Sequence, residues 1–219
     1  MKEYCKNFKD INFWISIMLF LGGQSLLYSA LKYIQTDYHT FNFAIDSAIP
    51  FIPSGFIIIY NMFYPFLFFT FYYIYGKDKQ TYDKGIIAAV IGYLICSIIF
   101  VLYPVEMIRP DITNLHIDWI SQLVLNLTYY FDNPAINCFP SIHCLFCFQT
   151  IYTICKSKNI TIKNKILTSI IALTIIATIF LVKQHYVIDM IAALIICILT
   201  NILVSLIYPL IINKIKKNK

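Results

Sequence analysis

The chain carries few charged residues for its length. Only 13% of its 219 residues are charged, 59% are hydrophobic, and its mean hydropathy is +0.71. A soluble domain usually has about a quarter of its residues charged and roughly half apolar. Because the excess of apolar residues comes in long runs, the composition excludes an ordinary soluble domain and indicates an integral membrane protein.

Three other features are missing from the sequence. There is no internal repeat, and no polar stretch is long enough for a separate soluble domain. Cys144 and Cys147 form a C-x-x-C pattern, but no second pair accompanies it, so the cysteines do not by themselves indicate a metal site, a redox site or a disulfide framework. We therefore expect a single integral membrane domain over residues 1–219.

Six apolar runs approach the roughly 20 residues that a helix needs to cross the hydrocarbon core. They predict an all-α, polytopic membrane protein with six transmembrane helices in one bundle. The predicted spans lie near residues 11–34, 54–76, 85–103, 141–157, 166–182 and 186–208.

The basic residues are divided unevenly between the two ends of these spans. Fourteen of the 17 lie before the first span, in the loops 77–84 and 156–165, or after the last span, whereas Lys32, Arg109 and Lys183 lie on the other side. By the positive-inside rule, both termini are expected in the cytoplasm. We interpret the basic C-terminal tail as a retention signal beside anionic lipids, not as a nucleic-acid-binding segment.

The loop 104–140 is too long for a simple connection in a compact bundle. Its apolar residues recur at three- and four-residue steps, which predicts an amphipathic helix. Such a helix either lies on the membrane surface, with Trp119 at the level of the lipid headgroups, or packs over the end of the bundle. The apolar stripe comprises Ile117, Ile120, Val124, Leu127 and Phe131.

A histidine and an aspartate stand at the start of the sixth span. Asp189 falls within an apolar run, where an ionisable group is costly unless it is paired or functional. His185 precedes it by four residues, so on a helix the two side chains share one face and lie within hydrogen-bond reach. A carboxylate on one ring nitrogen fixes the tautomer and leaves the other nitrogen free to attack. A purely structural pair at a helix start is the alternative interpretation.

Two further elements suit phosphate binding. Pro140 favours the first turn of a helix, so Ser141, Ile142 and His143 begin the fourth span with free backbone N–H groups, which form an anion site. Arg109 is the one arginine in the sequence, and its guanidinium suits bidentate contacts with phosphate. Taken singly, these features are also explained by a helix cap and by an ion pair with a neighbouring acid.

The predicted topology brings these motifs together. The charge bias places the end of the third span and the starts of the fourth and sixth spans on one side of the membrane, and these ends carry every motif. A cation, a helix N-terminus and two histidines, one of them oriented by a carboxylate, describe phosphoryl transfer through a phosphohistidine. This chemistry requires no metal and no other cofactor.

The order of these motifs resembles that of a known family. The order R-P, then P-S-x-H, then H-x-x-x-D, over about residues 85–205, resembles the type 2 phosphatidic acid phosphatase superfamily, whose members are six-helix membrane enzymes acting on lipid phosphates. The strings FPSIH and KQHYVID look more like the branch that contains inositol phosphorylceramide synthases.

The resemblance implies a role for each motif residue. His185 would be the nucleophile that attacks phosphorus in line, and Asp189 would stabilise the imidazolium that develops. His143 would protonate the departing oxygen and then activate water or an acceptor alcohol. Arg109 and Ser141 would hold the phosphate.

The chain also departs from the family pattern. Leu102 stands in place of the first lysine, Ile142 in place of the glycine of P-S-G-H, and Thr178 and Ile179 in place of a Ser-Arg pair. Two of the usual three phosphate-binding cations are therefore missing, and Lys183 is expected to restore one. Thr178 and the backbone N–H of Ile142 are further candidate phosphate ligands.

The leading prediction is a lipid phosphatase on the outer or lumenal face, with a lipid phosphate as substrate and membrane lipids as its other partners. With an alcohol as acceptor, the same site would be a head-group phosphotransferase. The alternatives are a hydrolase with zinc bound by His143, His185 and Asp189, and a catalytically silent membrane scaffold. A transporter fits poorly, because the polar residues gather at one face. The pattern specifies neither the lipid nor the oligomeric state.

Overall fold

The computed structural model describes residues 10–32, 34 and 37–217, and the description below concerns these residues alone. They form helices joined by loops, which confirms the all-α prediction. The predictions that concern Lys2, Lys6, Lys9 and Lys219 fall outside the described residues. The helices are α1 (Ile11–Leu31, with a π-helical turn at Met18–Gly22), α2 (Ala44–Ala48), α3 (Phe56–Asn61), α4 (Phe63–Lys77), α5 (Lys79–Leu102), α6 (Trp119–Phe131), α7 (Ile142–Lys156), α8 (Ile162–Leu181) and α9 (Val187–Lys217).

Four of these helices are long and apolar enough to cross a membrane: α1, α5, α8 and the part Val187–Ile211 of α9. Their outward faces carry large aliphatic side chains, among them Leu26, Leu173 and Leu199, each more than half exposed. A soluble protein rarely exposes continuous apolar surface of this extent. The chain is therefore an integral membrane protein.

Two of the six predicted spans form shorter helices than expected. The run 54–76 is divided into α3 and α4 at Met62. Pro65 explains the break, because its ring collides with the carbonyl of Asn61, four residues earlier, in a continuous helix. The run 141–157 forms α7, whose 15 residues extend about 22 Å, less than the roughly 30 Å hydrocarbon core. The six-span count stays a prediction.

The helix α7 lies at the centre of the bundle and packs against α4, α5, α8 and α9. Two glycines on one face of α5 allow the closest of these approaches. A Cβ at Gly85 would lie 2.5 Å from Cγ2 of Thr153, and a Cβ at Gly92 would lie 3.1 Å from the side chain of Leu145. The absence of a side chain at both positions therefore sets the distance between α5 and α7.

A pair of buried amides joins α7 to α9. Asn201 Nδ2 donates to Gln149 Oε1 at 2.7 Å, and Gln149 Nε2 donates to Asn201 Oδ1 at 3.1 Å. Interhelical hydrogen bonds of this kind stabilise helix association within a membrane. Because each amide satisfies the other, sliding α7 along α9 would leave buried donors and acceptors unpaired. The pair thus fixes the register of the two helices.

The lysine-rich loops lie together at the end of the bundle opposite the start of α7. Ser157 Oγ donates to Asp78 Oδ2 at 2.8 Å, and Asn159 Nδ2 donates to the carbonyl of Lys77 at 3.0 Å. The loops between α4 and α5 and between α7 and α8 are therefore neighbours. The basic residues of both loops lie far from the first turn of α7.

The long loop between α5 and α7 contains α6, near the predicted amphipathic helix. Its packed face is formed by the buried Ser121 and Leu125, and Ser121 Oγ accepts a hydrogen bond from Gly55 N at 2.8 Å. Much of the predicted apolar stripe is exposed instead, including Ile120 and Phe131. Contact of that stripe with the membrane surface stays a prediction.

We predict that Gly85→Ala lowers the melting temperature of the detergent-solubilised protein. The new methyl group would collide with the buried side chain of Thr153, and overpacking of this kind costs about 1–3 kcal/mol. Gly22→Ala is the matched control, because a Cβ there meets nothing within 4 Å. Equal melting temperatures for the two variants, measured by differential scanning fluorimetry, would contradict the packing described here.

Candidate active site

The starts of α7 and α9 lie side by side. The backbone N–H of Ser141 donates to the carbonyl of Asp189 at 3.2 Å, and the hydroxyl of Ser141 accepts a hydrogen bond from Cys144 N at 3.2 Å. Ser141 is therefore the N-cap of α7, one residue ahead of the predicted start, and is fully buried. Its hydroxyl accepts this one hydrogen bond and keeps its own proton to donate, so the predicted contact with phosphate stays a prediction.

His185 and Asp189 form the predicted pair, but not across a helical turn. His185 lies in the connection before α9, and its Nδ1 is 3.2 Å from Asp189 Oδ2 and 2.9 Å from the carbonyl of Cys138. The same carboxylate oxygen accepts a hydrogen bond from Tyr186 N at 2.9 Å. Asp189 is fully buried, so this one carboxylate positions both the imidazole and the backbone that carries it.

The hydrogen-bond partners assign the tautomers of both histidines. Nδ1 of His185 faces two acceptors, so it carries the proton and leaves the lone pair on Nε2. Nδ1 of His143 lies 3.3 Å from that Nε2 and is therefore the donor, while Nε2 of His143 accepts from the hydroxyl of Tyr60 at 3.1 Å. A continuous hydrogen-bonded chain runs from Tyr60 through both imidazoles to Asp189.

Both histidines line a cavity of about 410 Å³ between the start of α7, the connection before α9 and helices α1, α3, α4 and α6. Its walls are mainly apolar and aromatic, with a few polar groups, which is typical of a ligand site. The lining residues are Gln24, Tyr28, Tyr60, Asn61, Phe63, Tyr64, Val124, Leu127, Thr128, Phe131, Asp132, Asn137, Cys138, Ile142, His143, Gln184 and His185.

Arg109 lies beside this cavity but does not line it. Its guanidinium donates to the carbonyl of Asp132 at 3.1 Å, to the carboxylate of Asp132, and to Gln184 Oε1 at 2.6 Å. Asp132 and Gln184 do line the cavity. The ion-pair partner of Arg109 is thus neither of the neighbouring acids, Glu106 and Asp111, but a residue at the far end of the loop.

The structure places Lys183 away from the cavity. Its backbone has a positive φ of 50°, and its ammonium donates to the carbonyls of Asp46 at 2.8 Å and Ile49 at 2.6 Å. These contacts direct the charge toward the loop before α3. The position of Lys183 does not support its predicted role as a replacement for a missing phosphate-binding cation.

The structure also shows where the other residues that depart from the family pattern lie. Thr178 is buried within α8, and its hydroxyl donates to the carbonyl of Ile175 at 2.7 Å, so it does not reach the cavity. Ile179 is fully buried, whereas Leu102 is exposed at the end of α5. Ile142 does line the cavity, and the first N–H groups of α7 have no acceptor within their own helix.

Several residues at the site were not indicated by any motif. Tyr60 is one of 17 tyrosines, and nothing local distinguishes it. Asp46 Oδ1 accepts a hydrogen bond from Val187 N at 2.8 Å and so caps the start of α9 next to His185. Lys32 contacts Asp132 Oδ1 at 3.3 Å. The one sequence signal for Lys32 is its position on the side of the membrane that is poor in basic residues.

The arrangement does not support the alternative of a zinc site. Asp189 contacts Nδ1 of His185 while His143 contacts Nε2, so the two partners lie on opposite sides of the imidazole ring. Among residues 10–32, 34 and 37–217, no three His, Cys, Asp or Glu side chains converge as metal ligands do. The three residues that would bind zinc in this alternative therefore do not surround one point.

Together these features define an all-helical membrane protein with a hydrogen-bonded histidine pair and a buried carboxylate at one end of its bundle. The chain belongs to the PAP2 superfamily, whose family model matches residues 41–203. This confirms the resemblance drawn from the motifs. The matched range also extends further toward the N-terminus and includes Asp46 and Tyr60. Neither a curated protein nor a solved structure matches the chain. The inositol phosphorylceramide synthase branch stays a prediction.

We predict that His143 and His185 both carry their proton on Nδ1. The chain contains four histidines, so long-range ¹H–¹⁵N correlation spectra of ¹⁵N-histidine-labelled protein can be assigned by single substitutions. The exposed His39 and His116 serve as controls and should exchange between tautomers. A proton on Nε2 of His185 would contradict the hydrogen-bond directions assigned above.

Proposed function

We propose that this protein cleaves a lipid phosphate ester through a phosphohistidine on His185, with water as the final acceptor. Membership of the PAP2 superfamily supports phosphatase or phosphotransferase chemistry on lipid phosphates. The observation that carries the proposal is the pairing of His185 with two partners at once. Asp189 binds Nδ1 at 3.2 Å, and His143 binds the opposite nitrogen, Nε2, at 3.3 Å.

In the first step, the substrate phosphate enters between the two imidazoles and replaces the contact between them. The lone pair on Nε2 of His185 forms the P–N bond while the ester P–O bond breaks. The incoming phosphate anion favours a second proton on His143, which His143 takes from solvent; as the imidazolium, it then gives a proton to the departing oxygen. The proton on Nδ1 of His185 stays in its hydrogen bond to Asp189, which stabilises the positive charge on the phosphorylated ring.

In the second step, neutral His143 takes a proton from water as the water oxygen attacks phosphorus. The P–N bond breaks, and His185 regains its lone pair. Tyr60, 3.1 Å from Nε2 of His143, would keep that ring oriented in both steps. The N–H groups at the start of α7 and the polar groups around Arg109 would stabilise the charge on the phosphate oxygens.

Transfer to an alcohol is the second candidate. Val124, Leu127 and Phe131 on α6 border the cavity, and this apolar edge suits a second lipid beside the phosphorylated histidine. Only the identity of the attacking oxygen in the second step would differ. The same residues would then perform head-group transfer.

We also propose that α3 with α4, and α7, complete a bundle of six membrane-spanning segments. The lysine-rich loops would then face the cytoplasm, and the cavity would open on the outer or lumenal side. The clustering of the loops after α4 and α7 at one end of the bundle supports this orientation.

The first test measures release of dioctanoylglycerol from dioctanoyl phosphatidic acid and from dioctanoyl phosphatidylglycerol, in detergent and with EDTA present. Wild-type protein should release dioctanoylglycerol. His185→Ala should abolish release because the nucleophile is lost, and His143→Ala should reduce it by about 10²- to 10⁴-fold.

His116→Ala is the matched control, because His116 is exposed in the loop. Acid-labile, base-stable labelling of the protein by a ³²P-labelled lipid should depend on His185. A silent wild-type protein would reject hydrolysis, and assays with diacylglycerol or ceramide as acceptor would then test transfer. If neither the hydrolysis assay nor the transfer assay gave product, the catalytically silent scaffold would be favoured.

The orientation is tested with cysteines introduced at two exposed loop positions, His116→Cys near the cavity and Lys158→Cys at the opposite end, in a background that carries Cys5→Ser and Cys155→Ser because Cys155 is itself exposed. A membrane-impermeant maleimide should label His116→Cys in intact cells and label Lys158→Cys only after permeabilisation. The reverse pattern would place the cavity on the cytoplasmic side.

A further inference from the structure

Three charged side chains form a cluster next to the histidine pair: Lys32, Arg109 and Asp132. Asp132 Oδ1 accepts from Lys32 Nζ at 3.3 Å and from the hydroxyl of Tyr28 at 3.0 Å, and Oδ2 accepts from Arg109. The side chains of Lys32 and Arg109 are only 13% and 11% exposed. Two cations and one anion give this cluster a net charge of about +1.

The side chain of Asp132 is 29% exposed, and both cations hold its carboxylate in this cluster. Of the three charged residues, Asp132 alone lines the cavity. A ligand phosphate therefore meets an aspartate carboxylate beside the cations that attract it.

Gln184 supplies a neutral donor at the same place. Its Oε1 must face Arg109, because the guanidinium has only donors, and the distance is 2.6 Å. Its Nε2 is therefore directed away from Arg109, and it finds no acceptor among the described residues although the side chain is almost fully buried. Gln184 lines the cavity and directly precedes His185. An unpaired buried donor beside the nucleophile is suited to a phosphate oxygen.

We propose that this subsite is built for a phosphate with a single negative charge, as in a lipid phosphodiester, and that Asp132 determines this specificity. The inference rests on the proposed function, since it takes the cavity to hold a lipid phosphate. A singly charged phosphate balances the charge of the cluster and accepts a hydrogen bond from Gln184. The second charge of a phosphomonoester would be placed near the carboxylate of Asp132, and like charges so placed are costly.

The test compares three amphiphiles that differ in charge and contain no cleavable ester: dodecylphosphonate, dodecyl(methyl)phosphinate and dodecyl(dimethyl)phosphine oxide. At a pH above the second ionisation of the phosphonate, they carry two, one and no negative charges. Binding to the purified full-length protein is measured by displacement of a fluorescent lipid. Wild-type protein should bind the phosphinate at least about tenfold more tightly than the other two.

Asp132→Asn should shift the affinity ratio by about tenfold or more toward the phosphonate, because the carboxylate charge is lost while an oxygen remains to accept from Arg109. Asp132→Glu keeps the charge and should keep the wild-type preference. Asp111→Asn is the matched control, since Asp111 lies in the same loop, is exposed, and bonds Thr113. It should leave the ratio unchanged.

Two outcomes would overturn the inference, and they differ in what they say about the proposed function. If both charged ligands bind more tightly than the phosphine oxide but their ratio is the same in wild type and Asp132→Asn, the phosphate site stands and the role of Asp132 is wrong. If the phosphine oxide binds wild-type protein as tightly as the phosphinate, the cavity does not recognise phosphate, and the proposed function fails as well.

Discussion

The candidate site depends on one buried carboxylate. Asp189 accepts hydrogen bonds from the imidazole of His185 and from the backbone of Tyr186, and its own carbonyl accepts from the backbone of Ser141. It therefore joins the connection before α9 to the start of α7. Since an ionised group in an apolar bundle is stable only when it is paired, these contacts hold the two histidines in a fixed relation.

Packing in the interior of the bundle also holds the two histidines in position. The Gln149–Asn201 pair fixes the register of α7 against α9, and Gly85 and Gly92 allow α5 to approach α7 closely. A shift of one helix by a single turn would move its histidine by about 5 Å. Packing in the middle of the bundle therefore sets the distance between His143 and His185 at its end.

The charge around the cavity differs from what the family pattern implies. Only Arg109 of the expected cations is retained, and it is paired with Asp132. Lys32, the residue that follows α1, adds a cation from before the matched part of the chain. The cluster of Lys32, Arg109 and Asp132 thus has a net charge of about +1.

Local patterns predicted much of this structure. Long apolar runs predicted the helices. The four-residue spacing of His185 and Asp189 predicted their contact from helix geometry, and the contact forms although His185 lies just before α9. The run 54–76 was predicted as one span, and the break between α3 and α4 that Pro65 explains was missed. Ser141 lay within one residue of its predicted position, as the N-cap of α7.

The sequence by itself determined that the protein is a helical membrane protein with PAP2 motifs, since apolar runs and short motifs are local properties. Only the tertiary structure decided which charges meet. Lys183 is directed to carbonyls in the loop before α3, while Lys32 and Asp132, 100 residues apart, lie in contact. The physical reason is that electrostatic interactions depend on distance and burial, and both are set by how the helices pack together.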